Sequence, residues 1–428
     1  MGTRAKPEKG FERDPQKGVA LLAVTMAIAV CLVMTQEFMT NTTTDFFAAA
    51  NARDNVRSHF LARSAMNLGN LVIRLQTDIL DRYRKQIGDV QVADYVGFIM
   101  SPFAGSKEEV AAVGEAFGGV SLDGAKGLGL PDDSTFDLDI VTDDDKINVN
   151  CANGNDDAKK VLKSRLDSLW YLPAFNPVFE RPDATGWIRD REMQTLAIID
   201  YIDRDHSKFG VPGAPEDYGY ETLHDRYISK DNYLDSVGEL RQVRGVDDRF
   251  WTLFGKVFTI YGSCKINLGA VRDPMMIASI ILLTAKEDEA VLNDGLKLWA
   301  LARRIAEAKD FGIYFDDTQA FIDYVADPDA QLAELLGGGG AAGLTPAPAA
   351  GSVQPVEGAK LDKGKLDQIA EIGARRTYRV IATATAGASA FRPGVSRRIT
   401  AVWDTTTTPQ NARPTQTGKG AWVLWREE

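Results

Sequence analysis

The chain has 428 residues, 44% hydrophobic and 25% charged, and carries a formal net charge of −11. Its apolar content suffices for packed cores in one to three domains. The acidic balance, with no dense Lys/Arg block, excludes a nucleic-acid binder that grips phosphates through a basic face.

Residues 1–18 run against that balance. Arg4, Lys6, Lys9, Arg13 and Lys17 outnumber Glu8, Glu12 and Asp14, so the stretch carries +2 and leaves −13 for the rest of the chain. A basic end of this kind stays on the cytoplasmic side of a membrane. Directly after Lys17-Gly18 the chain turns apolar: Val19 to Met34 contains no charge, and Thr25 is its polar exception. The run falls slightly short of the ~20 residues of a spanning helix, and Thr35 to Met39 extend it. Three readings compete. A secretory signal needs a small-residue cleavage site, and VMTQEFMTNTTTDFF offers no A-x-A pattern. A plain signal anchor is the second. The third is a prepilin-type leader cut between Gly18 and Val19, with the apolar run kept as the mature N-terminus.

The next segment favours the third reading. From Thr44 to Gln86 there is no Pro and one Gly, and Phe60, Leu61, Met66, Leu68, Leu71, Val72 and Leu75 recur with charges between them. This predicts an amphipathic helix continuing the apolar one. STFDLDIVT (134–142) then reads as a strand, followed by an acidic turn and Lys146-Ile147-Asn148-Val149-Asn150. An echo, Lys265-Ile266-Asn267-Leu268-Gly269, follows later. Between the two, Ser236 with Glu239 forms a capping-box pattern and Gly245 breaks a helix–turn–helix. After the echo, 274–311 and 318–328 read as helices. Residues 337–358 have the composition of a flexible linker. TYRVIATATA, RRITAVWD and GAWVLWRE alternate as half-buried strands do, and 134–142 is their natural sheet partner. The helical modules become an insertion between early and late strands.

No G-x-S-x-G, P-loop or H-E-x-x-H occurs. His206 and His224 lie among Asp200, Asp203, Asp205, Glu216, Asp217 and Asp225. A metal-dependent hydrolase would need His and carboxylates to converge there. The bent, oxygen-rich loop suits a hard cation better; Asp203, Asp205, Glu216 and Asp217 are the candidate calcium ligands, against a merely solvated acidic loop. It is not an EF-hand.

In this order the pieces resemble the K-type minor pseudopilins of type II secretion systems, the GspK family. The Gly-then-apolar start, the strand followed by K-I-N-x-N-x-A, the Asp-aromatic-Ile-Asp segment with its Gly-Ala and Glu-Asp-x-x-Tyr loop, Ser-x-x-Glu-Leu, and the terminal strands ending Trp425-Arg426-Glu427 are all similar. With Val19 first, the fifth mature residue is Ala23, where most type IV pilin-like proteins carry Glu; the K-type family lacks it. The resemblance implies an α+β fold: a long N-terminal transmembrane and amphipathic helix, and a pilin-like antiparallel sheet carrying a large all-helical insertion of two SAM-like or helix-hairpin-helix-like modules. The implied spans are a leader (1–18), a transmembrane helix (19–39), an amphipathic helix with the first part of the head (40–145), two helical modules (146–264 and 265–336), a linker (337–363) and the terminal strands (364–428). It also implies a non-enzymatic tip subunit of the periplasmic pseudopilus. This would be held in the inner membrane with its bulk in the periplasm and processed and methylated by prepilin peptidase. Its partners would be the I- and J-type minor pseudopilins and the other pseudopilins of the filament. Calcium binding is a property of that family. The alternatives are a membrane-anchored periplasmic metal-dependent hydrolase and a minor pilin of a type IV pilus. Cys31 falls in the membrane segment. Cys151 and Cys264 lie beside the two K-I-N segments, where an oxidising compartment permits a bridge; a bridge and two buried free thiols both stay open. The family usually has Thr at the first of these positions.

Overall fold

The structure, a computed structural model, describes residues 15–87, 91–97, 133–211, 213–216, 218–287, 289–310, 313–329, 356–389, 392–407 and 420–428. Helix α1 (Pro15–Asp78) is unbroken over 64 residues, about 96 Å at 1.5 Å per residue. Every residue from Val19 to Ala49 is exposed. Within that stretch the Thr25, Thr35, Thr40, Thr43 and Thr44 hydroxyls each donate to the carbonyl four residues back. These five hydroxyls are thereby satisfied within the helix itself, as a hydroxyl in hydrocarbon must be.

In chain order, leaving out helices of six residues or fewer, there follow β1 (Ser134–Thr142), β2 (Ile147–Asn148), α2 (Asp156–Leu169), α3 (Arg191–Ile202), α4 (Asp248–Phe254), β3 (Phe258–Thr259), β4 (Ile266–Asn267), α5 (Pro274–Thr284), α6 (Gly295–Asp310), α7 (Thr318–Ala326), α8 (Lys363–Ile369), β5 (Ala370–Glu371), β6 (Thr377–Ala386), β7 (Val395–Asp404) and β8 (Ala421–Glu427).

The second half of α1 lies on a four-stranded antiparallel sheet of order β1-β6-β7-β8. Period-two burial points Phe136, Leu138 and Ile140 of β1 and Tyr378, Val380, Ala382 and Ala384 of β6 at the helix. Ala62, Ala65, Met66, Val72 and Ile73 of α1 meet them. Gly69 marks the closest approach: a Cβ there would stand 2.9 Å from Val380 Cγ1 and 3.4 Å from Leu138 Cδ1. Glycine in mid-helix costs about 1 kcal/mol against alanine, and the close helix–sheet contact offsets it. The apolar residues expected to form one face of α1 divide. Met66 and Val72 face the sheet, while Phe60 and Leu71 are 61% and 64% exposed. At 100° per residue the two sets stand on different sides of the helix.

Residues 143–376 are inserted between β1 and β6. The acidic turn holds the junction: Asp143 bonds Lys146 Nζ (2.6 Å) and the Arg379 guanidinium of β6. The Asp144 carbonyl accepts from Asn267 N–H (2.9 Å). The two K-I-N segments do the same work in the fold. Ile147 pairs in parallel with Phe258, and Ile266 with Ala370. Asn148 Nδ2 donates to Gly262 O and Asn267 Nδ2 to Gly373 O, both at 2.9 Å. The carboxamide oxygens accept from Asn150 N–H and Gly269 N–H, both at 3.0 Å. Each unit thus opens on a K-I-N strand, runs through helices, and closes on a short parallel strand ahead of a glycine.

This arrangement alters two sequence-based expectations. The units are not purely helical, since two-residue strands seal them. The second unit does not end at residue 336: Ala359, Leu361, Leu366, Ile369 and Ala370 are buried in the helical core, and Leu361 bridges to Ala285. The expected linker (337–363) therefore has its last residues packed, and 337–355 lie outside the described residues. The two units share one continuous core. Cys151 and Cys264 form a disulfide with Cα atoms 5.8 Å apart across 113 residues of sequence, tying the first K-I-N segment to the start of the second. Cys31 is free.

Candidate functional site

Helix α3 ends in the acidic stretch. Asp190 caps its N-terminus, with its side chain accepting from Met193 N–H, and Asp203 occupies the C-cap, donating its N–H to Ile199 O at 2.9 Å. Asp200 and Asp203, three apart, share a helix face and are both fully buried. The chain then doubles back. Ser207 bridges Pro215, Lys208 N–H donates to Ala214 O (2.9 Å), and Gly210 and Gly213 turn with positive φ. This return brings Glu216 beside the helix end.

Asp200, Asp203 and Glu216 form a group in which one carboxylate oxygen from each lies within 4.8 Å of the others. Asp200 is held by Phe209 N–H (3.0 Å) and the Tyr218 hydroxyl (2.5 Å). Asp203 Oδ2 accepts from Lys159 Nζ at 2.7 Å. Asp203 Oδ1, both Glu216 oxygens and Asp231 Oδ1 are buried without a hydrogen-bond partner. Asp231 is the non-glycine residue with positive φ (48°) among the described residues, and its Oδ2 meets His206 Nδ1 at 2.9 Å. Burial, reinforced by Asp200, Asp203, Asp231 and Asp205, pushes the Glu216 carboxyl up to about 8. Burial also lifts Asp203 to about 6 against the pull of Lys159, and raises Asp200. Buried carboxylates with orphaned oxygens that repel one another are the setting a cation relieves. The donor set is all oxygen, which suits calcium or another hard divalent ion.

Of the four ligands anticipated from sequence, the structure brings together Asp203 and Glu216. Asp205 stands outside the group of three: its half-exposed side chain shares Lys159 Nζ with Asp203 (3.0 Å) and accepts from Ser207 N–H (2.9 Å). Asp217 lies outside the described residues. Asp200 completes the group, and its three-residue offset from Asp203 at a helix end was the signal for it. The histidines do not converge. His224 meets exposed Asp225, and His59 of α1 meets Glu427 of β8 at 3.4 Å.

A second feature is the face of α1 turned away from the sheet. Val56, Phe60, Leu71 and Leu75 are exposed there, among Arg53, Arg57, Arg63 and Arg74. Upstream, the apolar stretch is the one described helix long and apolar enough to cross a membrane, and none of its most apolar window is buried. It fits a single-pass membrane anchor.

No protein-family model matches the chain, and no curated protein does. Among solved structures, the chain is similar to a chain of the GspK–GspI–GspJ complex of the type 2 secretion system of enterotoxigenic Escherichia coli. Identity is 13% and the TM-score 0.38, over 70% of this chain and 82% of that one.

Proposed function

We propose that the chain is a minor pseudopilin of a type II secretion machine, standing at the tip of the periplasmic pseudopilus and initiating or capping its assembly for export of folded proteins. One observation carries this reading: a single helix that is apolar and exposed through its first half and packed on an antiparallel sheet through its second. Among the described residues nothing packs on the Val19–Met39 stretch of this helix. Lipid before assembly, and neighbouring helices after it, would cover that stretch.

In this reading prepilin peptidase cuts between Gly18 and Val19 and the new terminus is methylated. The helix anchors the protein in the inner membrane with its bulk in the periplasm. Ordinary subunits offer a carboxylate at the fifth position to a neighbour's terminal amine. Ala23 offers none, as befits a subunit with nothing above it, because a carboxylate with no amine to meet would be left in an apolar surround. The 143–376 insertion gives the head the bulk to block further addition. Calcium, held by Asp200, Asp203 and Glu216, is structural: it neutralises the carboxylates that fix the 203–218 return. No catalytic step is assigned to it.

The exposed α1 face is the surface for the I- and J-type helices. Cysteines placed at Phe60 and Leu71 should crosslink to those two subunits in assembled envelopes. A cysteine replacing Ile140, under the helix, should not. Crosslinks from Phe60 and Leu71 to a repeating shaft subunit on both upper and lower sides would contradict the tip position.

A further inference from the structure

Lys159 of α2 enters the carboxylate group from 44 residues upstream of Asp203. It is buried, with 7% of its surface exposed. Its Nζ donates to Asp203 Oδ2 (2.7 Å) and Asp205 Oδ2 (3.0 Å) and stands 5.8 Å from the centre of the Phe209 ring. The ammonium occupies one oxygen of Asp203 and leaves the other orphaned. Among the described residues no other basic side chain hydrogen-bonds to Asp200, Asp203 or Glu216. When ionised, Asp200, Asp203, Glu216 and Asp205 together with the Lys159 ammonium carry three negative charges, which a divalent cation reduces to one. Calcium affinity follows the charge its ligands carry and the rigidity of the site.

We infer that Lys159 is a tethered competitor cation, which weakens the centre's hold on its divalent ion and keeps Asp203 in position when the ion is absent. The inference rests on the calcium reading above. It makes the site exchangeable: Lys159 supports the loop at low calcium, and the metal adds to it at high calcium. Asp205 is then the second anchor of the ammonium and not a metal ligand.

The test is a calcium titration of the full chain in detergent micelles, by calorimetry and by melting, for wild type, Lys159→Met, Lys159→Gln and Lys159→Arg. The neutral Met and Gln variants should each bind calcium at least about tenfold more tightly, equivalent to about 1.4 kcal/mol. Both should melt below wild type in chelator, so their calcium-induced rise in Tm exceeds the wild-type rise. Lys159→Arg keeps the charge and should stay within about threefold of wild type. Gln retains a donor for Asp203, so it reports on charge even where Met disturbs packing. Neutral variants that bind calcium as wild type does, or more weakly, would overturn the inference and leave the calcium reading standing. Absence of binding in wild type and variants alike would remove the calcium reading and the inference together.

Discussion

Replacing Cys151 and Cys264 together by serine should lower the unfolding free energy of the full chain in detergent by about 2–5 kcal/mol. The bond closes a loop spanning 113 residues, and cross-linking a loop of about 100 residues removes roughly 4.7 kcal/mol of chain entropy from the unfolded state in the loop-closure account. Its ends are well placed to matter. Cys151 is buried in the helical core beside Val149 and Ala152, and the Cys264 carbonyl accepts from the buried Arg165 guanidinium. The acidic group of α3 lies inside the closed loop, so the double variant should also bind calcium more weakly. Denaturant titration measures the first effect. Alkylation of the unfolded, unreduced wild type should find one reactive thiol, Cys31. Three reactive thiols would show that the bond is not made in the exported protein.

In chelator, stability should fall as pH rises from about 5 to about 8, the reverse of ordinary acid denaturation. The sign follows from Glu216 and Asp203. Their carboxyls ordinarily titrate at 4.5 and 3.8 and are pushed up to about 8 and about 6 in the fold. Between those limits the folded chain holds more protons than the unfolded one. The Glu216 contribution is therefore complete below 4.5 and lost as pH rises through about 8; that of Asp203 is complete below 3.8 and lost through about 6. Paired carboxylates such as Asp143, held below the usual range by Lys146 and Arg379 against the cost of burial, act in the opposite sense at lower pH. Millimolar calcium should remove most of the loss at pH 8, because a ligand that binds only the folded state stabilises it in proportion to its excess. Melting curves at pH 5, 6, 7 and 8, with chelator and with calcium, measure this. Identical curves in both conditions at pH 8 would rule the metal out.

The frame of the molecule is legible in the sequence because period and composition state it strongly. The apolar run, the helix continuing it, and β1, β6, β7 and β8 each follow from local patterning, and the joining of β1 to the late strands in one sheet follows from counting strands that need one; that its neighbour is β6 is seen only in the fold. The K-I-N echo is legible as a repeat, but the extent of the second unit is not. Its closing strand, Ala370–Glu371, is two residues long and lies beyond a Gly/Pro-rich stretch, so neither periodicity nor length marks it. Its partner Ile266 is remote in sequence. The two faces of α1 are merged by spacing alone, since Phe60 and Met66 both fit a three-four pattern and only the sheet tells them apart. At the acidic group, composition points to the right loop. Lys159 is invisible there, because α2 reaches Asp203 only through the packing of α2 against α3. Asp205, identical in chemistry to Asp203 and two residues away, is half-exposed and meets the other side of the Lys159 ammonium.

The mass of the mature polypeptide tests the central claim most directly. Produced with its own prepilin peptidase and recovered from the membrane, the protein should have lost residues 1–18 and should begin with an N-methylated Val19. A polypeptide still carrying its leader, or one beginning near residue 40 after loss of the whole apolar run, would contradict the account.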